Sequence, residues 1–278
     1  MNGSYNPKKA QQKSYVRRRS ARFQGKKVAM NKKLRDFVEE KLRDDISPAA
    51  ISGRLKCQEG ALPFASKDSI YRFLKSPYGR ALEYEREQKT KHRRKRPKVL
   101  SKLSDRTFIN ERPNRIEMRE DVGDIEGDFI VSGKTGKGSL LVAVDRKLRV
   151  SFLEKIFPVT IEEVHEAFLR IQKRFPELQS MTTDNDILFQ KHKELEKLLG
   201  IKIYFCHPYH SWEKGTVENT NKIIRKDIPK GSDISKYSKA FIQRLEEKLN
   251  RRPLKCLNYL TPKEALLVHR EITKLKKS

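Results

Sequence analysis

Three segments between residues 125 and 156 constrain the fold most. IEGDFIV (125–131), SLLVAVD (139–145) and VSFLEKI (150–156) read as strands, with SGKTGKG as the turn between the first two. After them the hydrophobic period changes. Val164, Phe168 and Ile171 share one face of a helix over about 160–174. MTTD (181–184) is a short strand, HKELEKLLG (192–200) a helix stopped by Gly200, and KIYFC (202–206) a further strand. The segment after Trp212 is helical, and helices over about 233–251 and 261–270 close the chain, with Pro253 and Pro262 as punctuation. Three strands in antiparallel style, then alternating helix and strand, predict a mixed-sheet α/β domain.

The N-terminal part reads differently. Leu34, Phe37, Val38 and Leu42 recur at helical spacing. In DISPAAISGRLK (45–56), Ser47 suits an N-cap and Pro48 the first helical position. A third helix opens at Ser66, with Ile70, Phe73 and Leu74 as its apolar face. Three such helices predict an all-α helix-turn-helix DNA-binding domain over 31–80. SKDSIYRFLK (66–75) then presents Lys67, Asp68, Ser69, Tyr71 and Arg72 to a major groove. A plain three-helix bundle is the alternative, and the connection 57–65 is longer than a tight turn.

Charge supports a polyanion partner. The formal net charge is +27, and residues 1–120 hold 33 Lys and Arg against 14 Asp and Glu, residues 121–278 hold 30 against 22. That asymmetry points to nucleic acid, bound mainly by the N-terminal part. Residues 1–30, with nine Lys or Arg and no acid, read as a basic flexible arm. KTKHRRKRPK (89–98) marks a basic linker over 81–115, followed by a catalytic core over 116–232 and C-terminal helices over 233–278. Cys57, Cys206 and Cys256 are far apart and form no CxxC pair, which disfavours a disulfide framework or structural zinc. No run approaches the roughly 18 apolar residues of a membrane span. The expectation is a soluble cytoplasmic protein with no membrane partner.

Three carboxylates are hard to explain as packing. Asp128 lies inside the first strand, sharing a face with Glu126 and Ile130. Asp184 ends the strand MTT, where α/β sheets place ligands. Glu218 lies on the helix after YFCHPYHSWEKGTVENTN begins to wind, with Lys214, Lys222 and Arg225 at i−4, i+4 and i+7. Together the acids form a hard oxygen site for Mg²⁺ or Mn²⁺, and a pair of such ions suits in-line phosphoryl transfer. The three basic residues would then grip nucleic-acid phosphates. Taken singly, Asp184 also reads as a turn or cap residue, and Glu218 with Lys222 as an ordinary helix ion pair. His207 and His210 lack further zinc-like partners and read as DNA-contacting or structural.

IEGDFI, TTDN, FCHPYHSWEKGTVENTN, IPKGSD and LNRRPLKCLNYLTPKEAL, in that order, resemble the insertion-sequence transposases of the IS-thirty group, within the DDE superfamily. The similarity reaches ISPAAISGRLK and SKDSIYR and so covers most of residues 31–270. It implies an RNase H-like catalytic domain with Asp128, Asp184 and Glu218 as metal-binding triad, using two Mg²⁺ or Mn²⁺ ions. The 33 residues between Asp184 and Glu218 suit that family. The implied activity is cleavage at mobile-element ends and joining of the 3′-hydroxyl to target DNA. The helix-turn-helix would bind terminal inverted repeats of double-stranded DNA, while His210, Trp212, Lys214, Asn219, Lys222 and Arg225 contact DNA near the triad. A homo-oligomer working on the prokaryotic nucleoid is implied. Two motifs depart from the family: GDIEGD stands for GHWEGD, and TDNDILF for TDNGxEF, placing Asp186 at a Gly position and Leu188 at a Glu position. The further N-terminal helix-turn-helix common in the family has only the basic arm in its place. The alternatives are a catalytically inactive DNA-binding relative and a basic RNA-binding structural protein.

Overall fold

The computed structural model describes residues 6–21, 26–88, 105–207 and 211–276. The chain divides into two compact units: residues up to 92 with Pro253–Leu260, and residues 93–252 with those from Thr261 on.

The first unit is helical: α1 (Pro7–Ala21), α2 (Lys26–Met30), α3 (Lys32–Arg43), α4 (Pro48–Cys57), α5 (Lys67–Leu74) and α6 (Arg80–Gln88). Side-chain caps set the starts of α3, α4 and α5. Asn31, Ser47 and Ser66 each accept an N–H three residues on, from Leu34, Ala50 and Ser69. Leu34, Val38 and Leu42 of α3 meet Ile51 and Leu55 of α4 and Ile70, Phe73 and Leu74 of α5 in one core. Burying a side chain of this size contributes about 1.5–3 kcal/mol, so this core can hold short helices that are marginal alone. Residues 253–260 join the unit, because Arg54 donates to Tyr259 O at 3.2 Å and Gln58 to Asn258 O at 3.0 Å.

The three helices, the Ser47 cap and the start at Ser66 are those read from the sequence, whereas the Asn31 cap was not, and the boundaries differ. Helices occupy 7–21 and 26–30, where a flexible arm was expected, and Val28 is fully buried in the core. Leu82 of α6 belongs to the same core, so the unit runs past residue 80 into the expected linker. The basic run 89–98 lies outside the described residues.

The second unit contains β1 (Thr107–Phe108), α7 (Asn114–Met118), β2 (Asp124–Val131), β3 (Ser139–Asp145), β4 (Ser151–Ile156), α8 (Ile161–Arg174), β5 (Ser180–Thr183), α9 (His192–Leu199), β6 (Lys202–Phe205), α10 (Gly215–Asp227), α11 (Lys239–Asn250) and α12 (Pro262–Leu275). The sheet order is β1-β6-β5-β2-β3-β4. β2, β3 and β4 are antiparallel neighbours, while β2–β5, β5–β6 and β6–β1 are parallel. This mixed α/β arrangement is the RNase H-like one, extended at one edge by β1. Neither β1 nor α7 was legible in the sequence, being two and five residues long.

All seven residues of β3 are buried, as expected of a central strand covered on both faces. Strand alternation sorts the faces. Ile130, Leu140, Val142, Val144 and Leu153 pack on Val217 and Ile224 of α10 and on Ile242, Leu245 and Leu249 of α11. Phe129 turns the other way, against Phe189, which also meets Phe168 of α8. Asp128 shares the face of Ile130 and so looks toward α10. The free edge of β4 is covered by α11: Asn250 exchanges hydrogen bonds with Ser151 N and O, and Glu246 accepts from Leu153 N. Among the described residues no helix is long and apolar enough to cross a membrane.

Candidate active site

Because β2 and β5 run parallel, with Glu126 beside Thr182, their C-terminal ends open on the same side of the sheet. Asp184 stands just past the end of β5, and Asp128, still within β2, is level with it. The structure brings these two predicted acids together across one cation: Lys214 Nζ lies 3.1 Å from Asp128 Oδ1 and 3.5 Å from Asp184 Oδ2. Lys214 is 4 % exposed and its ammonium also lies 3.4 Å from Gly127 O. Burial pushes the Asp128 carboxyl above its ordinary range, Lys214 opposes that, and Asp184 adds to it by repulsion. Lys214, read from the sequence as a phosphate grip, is turned inward onto the carboxylates.

Glu218 stands one turn along α10 from Lys214, and its carboxylate makes no hydrogen bond or ion pair among the described residues. The ordinary Glu218–Lys222 helix pair is therefore not formed. Among the described residues no three His, Cys, Asp or Glu side chains cluster closely enough to hold one ion, so Glu218 does not close on the two aspartates here.

α10 has no side-chain cap of its own. Its first N–H groups are met instead by Glu126, whose Oε2 accepts from Thr216 N and Val217 N, both at 2.9 Å. Glu126 Oε1 accepts from Arg146 Nη1 at 2.8 Å, and these two side chains are 1 % and 3 % exposed. The strand carrying Asp128 thus fixes the start of the helix carrying Glu218. Asn221, one turn beyond Glu218, donates from Nδ2 to Asp128 Oδ2 at 2.5 Å. Sequence reasoning missed Glu126, Arg146 and Asn221. The signal available was Glu126 on the Asp128 face and Asn221 on the Lys214–Glu218–Arg225 face of the helix.

Among the described residues, two buried side-chain oxygens have no hydrogen-bond partner, Asp184 Oδ1 and Asn221 Oδ1. An orphaned carboxylate oxygen and an orphaned amide oxygen beside Asp128 are hard donors of the kind that suit a divalent cation. Beside this site His207 Nδ1 lies 3.0 Å from Glu213 Oε1, and the His207 ring stacks on Phe108 at 5.6 Å. Burial pushes the Cys206 thiol up to about 12, so it is no nucleophile at neutral pH. A cavity of about 590 Å³ adjoins, lined among others by Arg112, Arg119, Glu126, Arg146 and Glu213.

The remaining predicted contacts scatter. Lys67, Tyr71 and Arg72 are exposed on α5, whereas Ser69 is half-buried with its hydroxyl 3.0 Å from the Ser66 cap. Asn219 and Lys222 are exposed on α10, and Arg225 is half-buried. His210 and the Trp212 side chain lie outside the described residues. Asp186 has φ −71° and ψ 142° and caps the turn at Ile187–Phe189 by accepting from Leu188 N. An Asp is unstrained there, because the backbone is not one that needs glycine.

Two adjacent parallel strands of this mixed sheet thus bring two acids onto one shared cation. The transposase of insertion sequence element IS4351 from Bacteroides fragilis is 35% identical over 270 residues, covering 94% of this chain and 80% of that protein. Transposase InsI of element IS30A from Escherichia coli strain K12 is 32% identical over 253 residues, covering 85% of this chain and 65% of that protein. Among solved structures, the catalytic core domain of BIV integrase aligns with a TM-score of 0.42 at 20% identity, over 55% of this chain and 98% of that one. No family model matches the chain. With that identity over most of both sequences, the chain belongs to the insertion-sequence transposases of the IS-thirty family.

Proposed function

We propose that this chain is a DDE-type DNA transposase that cleaves double-stranded DNA at the ends of a mobile element and joins the 3′-hydroxyl to target DNA. One observation carries the proposal: Asp128 within β2 and Asp184 just past β5 share one cation on adjacent parallel strands, with a buried Asp184 oxygen left unpartnered among the described residues. Asp128, Asp184 and Glu218 would hold Mg²⁺ or Mn²⁺ in a two-ion site. Such ions, when bound, activate a water or 3′-hydroxyl and stabilise the leaving oxygen of in-line attack at phosphorus.

The chain's own residues do the rest. Asn221 orients the Asp128 carboxylate, and Glu126 anchors the helix that presents Glu218. Lys222 and Arg225 on α10 hold phosphates beside the acids, and Arg119 offers a further cation at the adjoining cavity. α5 would lie in a major groove of the terminal inverted repeat through Lys67, Tyr71 and Arg72. An element has two ends, and joining both to one target favours a homo-oligomer acting on the nucleoid DNA of a prokaryotic cytoplasm.

Strand transfer on element-end DNA with Mg²⁺ or Mn²⁺ tests this reading. The wild-type chain is expected to cleave and join, and Asp184→Asn to bind DNA without doing either. Binding without cleavage by both proteins would sink the enzyme and leave an inactive DNA-binding relative. For α5, Lys67→Ala is expected to lower the slope of log K against log salt by about 0.9, one phosphate contact. An unchanged slope removes Lys67 from the interface.

A further inference from the structure

The sequence reading gave Lys214 to DNA, and the structure gives it to the acids, which leaves the question of what it does there. We infer that Lys214 is a resident counter-ion that holds Asp128 and Asp184 together before a divalent cation arrives, and that it leaves the pair when the cation binds. The inference rests on the reading of the two aspartates as metal ligands.

Four observations support it. Lys214 Nζ is within 3.1 Å of one carboxylate and 3.5 Å of the other, so a single positive charge spans the pair. The side chain is 4 % exposed, and a lysine this deep is stable only while paired. The amine also faces Gly127 O, so it sits in a nest of oxygens such as a hard cation uses. Asp184 Oδ1 and Asn221 Oδ1, meanwhile, have no partner among the described residues, so the lysine serves only part of the donor set.

A divalent cation bound by those carboxylates would stand beside the ammonium in a poorly solvated site, and like charges at that range repel strongly. The lysine is the partner that can leave, because its ammonium is on a flexible four-carbon stem. Beside it, a Cβ built on Gly215 would meet no atom within 4 Å from the described residues outside its chain neighbours and its own helix. Once outside, the ammonium becomes available to a DNA phosphate. Loading with metal therefore adds a cation to the DNA surface, and the position read from the sequence as a phosphate contact acquires that role only in the loaded protein.

Amine labelling tests the displacement directly. The full-length chain is treated with an acetylating N-hydroxysuccinimide ester with and without saturating Mn²⁺, and labelling at Lys214 is read by peptide mass spectrometry. Labelling is expected to be slow without metal and at least tenfold faster with it, against exposed Lys222 as internal reference. In parallel, isothermal titration of Lys214→Met is expected to show Mn²⁺ affinity at least tenfold above wild type. Mn²⁺ binding to wild type with Lys214 still protected overturns the inference and leaves the ligand reading intact. Absence of Mn²⁺ binding in both wild type and Lys214→Met overturns the ligand reading, and this inference with it. If Lys214→Met does not fold, the wild-type labelling decides alone.

Discussion

Replacing Glu126 with Gln tests the joint between β2 and α10. The wild-type carboxylate serves two clients, the paired N–H groups of Thr216 and Val217 and the Arg146 guanidinium. All three are donors, so an amide must turn its NH₂ toward one client whichever way it faces. Arg146 also loses its buried counter-charge. Burial already pulls the Arg146 guanidinium below its ordinary value, and Glu126 is the largest influence opposing that. Its other carboxylate neighbour, Glu117, is 3.4 Å away and 62% exposed, a weak substitute. Breaking a buried pair from one side costs about 3–5 kcal/mol. At about 2–4 °C per kcal/mol for a domain of 150–250 residues, the melting temperature should fall by roughly 6–20 °C. Calorimetry on wild type, Glu126→Gln, Arg146→Met and the double variant supplies the measurement. The double variant should recover part of the loss, with a coupling energy above about 1 kcal/mol. A single-variant loss below about 1 kcal/mol, with additive effects, would refute the claim that this pair anchors α10.

Three further outcomes are expected. Burial pushes the Asp145 carboxyl up to about 6, against partial relief from the N–H groups of Leu148, Gly123 and Lys147. Its folded value lies above its unfolded one, so its contribution to stability declines as pH rises from about 4 through 6, by roughly 3 kcal/mol. Urea midpoints of Asp145→Asn should lack that decline, and parallel pH profiles would show that the carboxyl titrates normally. Asn221→Ala should slow strand transfer by about 10–100-fold while DNA affinity holds, as loss of a ligand-orienting partner does; an unchanged rate removes Asn221 from the site. Gly53→Ala places a Cβ about 2.0 Å from the Tyr259 ring, and should cost roughly 1–3 kcal/mol through overcrowding. Thermal melts should show that loss vanish in a Tyr259→Ala background, and persistence there would point to a cause other than the ring.

The local chemistry was legible without coordinates. Ser47 with Pro48, Ser66, and the period-two and period-3.6 patterns each act over a few residues, so helix starts and strand cores follow from the chain itself. Alternation in IEGDFIV already put Glu126, Asp128 and Ile130 on one face, and that face is the one covered by α10. Asp128 stood out because a strand core disfavours an acid, and Asp184 and Glu218 stood out only with it, as three acids in order within one α/β pattern.

Pairings across the fold were not legible, and the site is made of them. Asn221 meets Asp128 across 93 residues of chain, and Lys214 reaches it across 86. Helical spacing placed Lys214, Lys222 and Arg225 on one face, but could not say that the first points inward at two carboxylates while Lys222 stays in water. Nor could it say that Glu218 would leave its i+4 lysine unpaired. Those outcomes depend on where α10 rests, which is set by Glu126 and Arg146 and by Val217 and Ile224 against the sheet. The residue types, local elements and candidate acids belong to the sequence by itself. Which acids share a cation, and which lysine supplies it, was decided only by tertiary packing, because burial makes pairing obligatory at some charges and optional at others.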